Sequence, residues 1–146
     1  MAKFLLSVHV IAAILAVGSI AVAASLFPRY VKQSVTVAAF LHRVCGVYAV
    51  AGVVVPVFGI ATGARLGVLT DAWLVVSLIL TVIAAALLGL AVLPQQRRLL
   101  ELAERPAPEL PHARVARLHM VTGVFNLLWA AVTVLMIVRP GSTTGV

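Results

Sequence analysis

The sequence predicts an all-α fold: four transmembrane helices in an up-down bundle, forming a single integral membrane domain over residues 1–146. Three observations predict it. Hydrophobic residues fill 63% of positions and charged residues only 10%, whereas charged residues make up about a quarter of an ordinary soluble domain. Four uncharged apolar runs reach or approach the ~20 residues that a helix needs to cross hydrocarbon. The cations lie in short segments between those runs, where they act as topology signals rather than as a continuous basic face.

The first run, 4–27, is closed by Pro28, a helix breaker, and by Arg29 and Lys32 at headgroup level. Ala21, Val22 and Ala23 offer a signal-peptidase-like site, but the run is longer than the roughly 7–15 apolar residues of a cleaved signal peptide. The second span, 44–64, follows His42 and Arg43 and contains Pro56, which predicts a kink because proline removes one backbone hydrogen bond. Gly63, Arg65, Gly67 and Asp71 mark a short turn. The third span, 72–93, ends at Pro94, and the fourth, 120–138, ends at Arg139, Pro140 and Gly141, ahead of a small polar tail expected to be disordered.

The loop 94–117 is the only sizeable polar segment. Arg97, Glu101 and Arg105 stand four apart, as helix-surface ion pairs do, and predict a short juxtamembrane helix. The following segment, with Pro106, Pro108 and Pro111, predicts an extended connector. Of the 11 Lys and Arg residues, Lys3, Arg65 and Arg139 fall on one side of the predicted topology and the other eight on the opposite side. The richer side is assigned to the cytoplasm, which places both termini on the non-cytoplasmic side of a multi-pass cell membrane protein, with a bacterial inner membrane as the expected location. The net charge of +7 is therefore read as contact with anionic lipid headgroups, not nucleic acid. A single cysteine, Cys45, rules out an intrachain disulfide.

Small residues at four-residue spacing let membrane helices approach closely. Ser77, Thr81, Ala85 and Gly89 form such a line on span three, and Gly59 and Gly63 form a GxxxG on span two. Both suit packing within the bundle, with a homodimer seam as the alternative. Asn126, in mid-span four, suits an interhelical hydrogen bond.

The most specific feature is an echo between spans two and four. Residues 41–48 (LHRVCGVY) and 118–125 (LHMVTGVF) both fit L-H-x-V-x-G-V-aromatic. Both enter the membrane from the same side, so the repeat predicts a two-fold axis along the membrane normal. His42 and His119 would then face each other across the bundle, each followed four residues later by a glycine, Gly46 or Gly123, leaving a smooth patch on the same face. Two imidazoles beside such clearings suit haem b; the competing reading makes them interfacial residues at helix starts. Cys45 near His42, and Met120 beside His119, add soft sulfur suited to copper. His9 lies near the other membrane face, too far from the inner pair to share their site, and is a candidate second ligand or a satisfied interior histidine.

At residues 9–18 (HVIAAILAVG) and 65–73 (RLGVLTDAW) the chain resembles an uncharacterised family of bacterial predicted four-helix integral membrane proteins. That family in turn looks like the copper-resistance D and HemJ-type membrane proteins, which open with a histidine followed by W-x-G; the tryptophan position is Ala16 here. The resemblance implies a four-helix fold and a haem or copper association through His9.

No acid, base and nucleophile cluster in the sequence, and no span carries a Lys, Asp or Glu, so catalysis and ion-coupled transport are disfavoured. The expected role is a non-enzymatic accessory or interaction subunit of a larger membrane complex, with haem-b or copper binding as the alternative.

Overall fold

The first helix, α1 (Ala2–Tyr30), carries Pro28 in its last turn and still closes normally, because the Val31 N–H donates to the Phe27 carbonyl at 2.9 Å. The computed structural model describes residues 1–141; the tail expected at 142–146 lies outside the described residues. Ser34, in extended backbone, starts α2 (Val35–Ala51), its hydroxyl accepting from the Val37 N–H at 3.4 Å.

The second span breaks at Gly52 and Val53 before continuing as α3 (Val54–Leu66). Proline has no N–H and its ring crowds the carbonyl four residues back, which for Pro56 is that of Gly52. That carbonyl instead accepts from the Val55 N–H at 3.1 Å, a tighter turn that sets the kink one turn before the proline. Gly67, at φ 70°, ends α3 in the left-handed conformation and turns the chain toward α4 (Ala72–Leu87).

A π turn follows at Leu88–Val92 and leads directly into α5 (Leu93–Ala103). The Leu93 N–H reaches five residues back to the Leu88 carbonyl, immediately before Pro94. The wider turn has a consequence for facing. Ala84, Leu88, Val92 and Gln96 are four apart, and each such step overshoots a 3.6-residue turn by about 40°; the π turn absorbs the drift, so all four are buried on one face. The segment expected as a separate juxtamembrane helix is therefore a continuation of span three. Arg97 and Glu101 pair at 3.2 Å on its exposed face, and Arg105 falls past its end. After an extended connector, α6 (His112–Val138) completes the fold, stopped by Arg139 at φ 45°.

Four helices are long and apolar enough to cross a membrane: Ala2–Tyr30, Val35–Leu66, Ala72–Ala103 and His112–Val138. They outrun the apolar windows of the sequence at the starts of spans two and four and most at the end of span three, where the polar turns wind on into the headgroup region. His42 and His119 are thus not at helix starts but two turns inside α2 and α6.

The spans form a ring in which α1 packs on α2, α3 and α6, α4 packs on α6, and α5 closes against α2. The two ends of the bundle differ. The end bearing the 104–111 connector, here the loop end, is filled by Phe27, Cys45, Leu99, Leu118 and Phe125 around Ala24 and Ala38, which are fully buried and allow close backbone approach. The end bearing both termini, the termini end, is hollow. The outward side chains, such as Ile14, Val50, Leu90 and Ile137, are large, apolar and exposed, as a lipid-facing belt requires.

Replacing Phe27, fully buried and edge-on to His42 with ring centroids 6.5 Å apart, by alanine is expected to cost about 3–5 kcal/mol. The measurement is the thermal unfolding midpoint in detergent, with the exposed Phe40→Ala as the near-neutral control.

Candidate functional site

The hollow at the termini end is a cavity of about 790 Å³ enclosed by α1, α3, α4 and α6, within the roughly 300–1,000 Å³ of small-molecule sites. Its walls are almost wholly aliphatic. Val10, Ile14, Ile60 and Ile137 are at once wall residues and exposed, so it opens sideways toward the lipid-facing surface. Along α6 it runs from Trp129 to Arg139, about 15 Å at helical rise and so about half the ~30 Å hydrocarbon thickness.

His9 is its principal polar wall residue. The imidazole Nδ1–H donates to the Val55 carbonyl at 2.8 Å, tying α1 to the residue before Pro56 and leaving Nε2 as the ring's acceptor. Gly59 makes that approach feasible. A Cβ there would stand 2.9 Å from His9 Cε1 and 3.2 Å from Nδ1, closer than a side chain tolerates. The second glycine of the motif, Gly63, seats Leu74 and Leu69 in the same way. The two glycines of the GxxxG therefore receive side chains of this chain.

Arg139 stands at the mouth. Its guanidinium lies 5.6 Å from the ring centroid of Trp73, whose Nε1–H donates to Asp71 Oδ2 at 3.1 Å, and its own Nε–H donates to the Met136 carbonyl at 3.3 Å. Trp73 is buried beneath this contact. The Thr81 and Thr133 hydroxyls donate to carbonyls of their own helices, whereas the Trp129 Nε1–H, also in the wall, is buried without a partner among the described residues.

A second polar group lies at the loop end. Gln96, fully buried, accepts from the His42 Nδ1–H at 2.9 Å through Oε1 and donates through Nε2 to Cys45 Sγ at 3.6 Å. One amide thus satisfies both candidate residues of α2 across the bundle. Asn126 donates to Ser25 Oγ at 3.0 Å, joining α6 to α1.

The repeat buries the same stripe in both helices: Ala38, Leu41 and Cys45 in α2, and Val115, Leu118 and Thr122 in α6. The histidines lie one position off that stripe. His42 is half-buried and reaches Gln96, whereas His119 and Met120 are exposed. His42, His119 and Cys45 do not assemble into a metal site, and no group of three or more His, Cys, Asp and Glu does so among the described residues. A Cβ at Gly46 or Gly123 would meet nothing within 4 Å; Gly46 is half-buried and Gly123 exposed. On span three, Ser77 is buried and Thr81 half-buried, but Ala85 and Gly89 are exposed, so only the first half of the small-residue line packs inside.

Gln96 and Arg139 escaped the sequence reading. The only available signal for Gln96 is its four-residue spacing from Val92 and Leu88, which becomes meaningful once a π turn is placed before Pro94. Arg139 reads from sequence as a stop signal, which it also is.

Four apolar membrane-length helices, a lipid-facing apolar surface and a side-opening cavity define a multi-pass integral membrane protein of the bilayer. The family model of the predicted integral membrane proteins DUF2269 matches residues 3–140, and the chain belongs to that family. No curated protein and no solved structure matches it.

Gly59→Ala is expected to displace the His9 ring and lower the unfolding midpoint by the equivalent of about 1–3 kcal/mol, the cost of a lost buried hydrogen bond plus overpacking. Gly123→Ala, into open space, is expected to leave it unchanged. Gln96→Leu is expected to expose its partners: Cys45, buried in the native chain, should react faster with a membrane-permeant maleimide than in the wild type.

Proposed function

We propose that this protein is a non-enzymatic accessory protein of a cell membrane that holds an amphiphilic small molecule in the termini-end cavity. The observation that carries this reading is the cavity itself: all four spans contribute to it, it opens sideways where lipid chains lie, and its polar wall groups are few, with His9, Thr81 and Thr133 bonded to backbone carbonyls and the Trp129 indole N–H left unpartnered among the described residues. Such walls suit retention of a ligand better than its turnover. The charge asymmetry of the loops supports placing the 104–111 connector in the cytoplasm, against anionic headgroups, and the cavity in the outer leaflet half. The bundle would then present its ligand, or its ligand-bound shape, to a larger membrane complex.

A second reading has one specific observation in its favour. A metal-ligating histidine usually donates its other ring N–H to a carbonyl or carboxylate, which fixes the tautomer and aims the lone pair. His9 makes this contact with Val55. The Met136 thioether shares the cavity wall, and the wall at Gly18 is free of side chains. Were haem b bound in this cavity, His9 Nε2 and the Met136 thioether would be the groups to hold its iron, and the haem would supply redox chemistry there. The paired His42 and His119 do not supply that geometry.

Native mass spectrometry of protein released from membranes in mild detergent tests the first reading. A bound amphiphile is expected in the wild type and not in Leu78→Trp, which fills the cavity from its α4 wall; retention in that variant would refute the assignment. A Soret band in the same preparation, lost in His9→Ala and kept in His119→Ala, would select haem as the amphiphile.

A further inference from the structure

Arg139 is placed where a ligand's polar end would emerge. The cavity is apolar along about half the membrane thickness and ends at a single cation. That cation is held firmly: its Nε–H is used by the Met136 carbonyl, its plane is shelved near the Trp73 ring, and the Trp73 indole is itself fixed by Asp71. Asp71 spends an acceptor on the indole and makes no ion pair with Arg139. The two terminal amino groups of the guanidinium have no protein acceptor among the described residues. A guanidinium presenting two parallel N–H donors matches the two oxygens of a carboxylate or phosphate. Its left-handed backbone, at φ 45°, is a conformation that favours glycine and is costly for arginine. A side chain held there by two contacts, one of them to a ring itself fixed by Asp71, has a set direction, which pre-organises it for a ligand.

We propose that Arg139 makes the cavity selective for amphiphiles bearing one anionic headgroup, a carboxylate or a phosphate, whose apolar chain lies in the hollow beneath. This rests on the cavity reading above and adds the chemistry of the head. His9 has its Nδ1–H committed to Val55, whereas Arg139 is the permanent cation of the wall. The head therefore sits at the mouth on Arg139 rather than deep at His9.

The probes are oleate, phosphatidylglycerol and neutral monoolein, each with brominated chains, titrated into the delipidated protein in nanodiscs of neutral lipid. The readout is quenching of the fluorescence of Trp129, in the cavity wall, and of Trp73, beside Arg139. The wild type is expected to bind at least one anionic probe about tenfold more tightly than monoolein, a difference of about 1.4 kcal/mol. Arg139→Gln is expected to bring the three within about twofold, and Arg139→Lys to keep part of the preference. Preference for oleate assigns a free carboxylate, and preference for phosphatidylglycerol a lipid phosphate. If the wild type binds monoolein as tightly as the anions, or if Arg139→Gln keeps the preference while folded by its unfolding midpoint, the headgroup proposal is overturned and the cavity reading stands. If none of the three quenches either tryptophan, the cavity reading falls as well.

Discussion

Backbone amides inside hydrocarbon have no water to turn to, so every N–H and C=O of the four spans must find a partner within the protein. The prolines of this chain are the places where that condition is under tension. Pro56 frees the Gly52 carbonyl, and the chain responds with a tight turn and a kink. Pro94 is preceded by a π turn, in which the Leu93 N–H reaches back to Leu88. Both adjustments aim a polar group. The kinked span offers the Val55 carbonyl to His9, and the π turn keeps Gln96 on the inner face, where it meets His42 and Cys45.

The two ends of the bundle follow from how side-chain volume is distributed. At the loop end, Phe27 and Phe125 fill the centre while Ala24 and Ala38 let the backbones close around them. At the termini end, α1 lines the cavity with Ala13, Val17 and Gly18, and α3 packs on α1 but barely touches α4, which leaves the space between them open. A sealed apolar void of this size would cost far more than a small protein's stability. An opening to the lipid side removes that cost, because a hydrocarbon chain can fill the space.

The internal repeat shows how a sequence echo can be structurally real at one level and not at another. Residues 41–48 and 118–125 sit at the same position along their helices, and the same spacing is buried in each. Side chains adjacent to a buried stripe lie on its flank, and what they meet depends on the neighbouring helix. Span three brings Gln96 to His42; nothing comparable reaches His119, which stays exposed. Symmetry of the stripe therefore did not carry over to symmetry of a site.

Composition and the four uncharged runs were enough to settle the class, the number of spans and the kink in span two, because lipid imposes a length and a polarity that few other environments share. The donor of Asn126, the seats at Gly59 and Gly63 and the Arg97–Glu101 pair were also legible, since each depends on spacing along one helix or on residue type alone. The tertiary structure decided the rest: which way each histidine faces, that Gln96 is interior, and that Arg139 closes a cavity shared by four spans. Those outcomes depend on the rotation of each helix about its axis and on a single extra residue in a π turn, and apolar spans with hydrophobic residues on every face carry almost no periodicity from which rotation can be read.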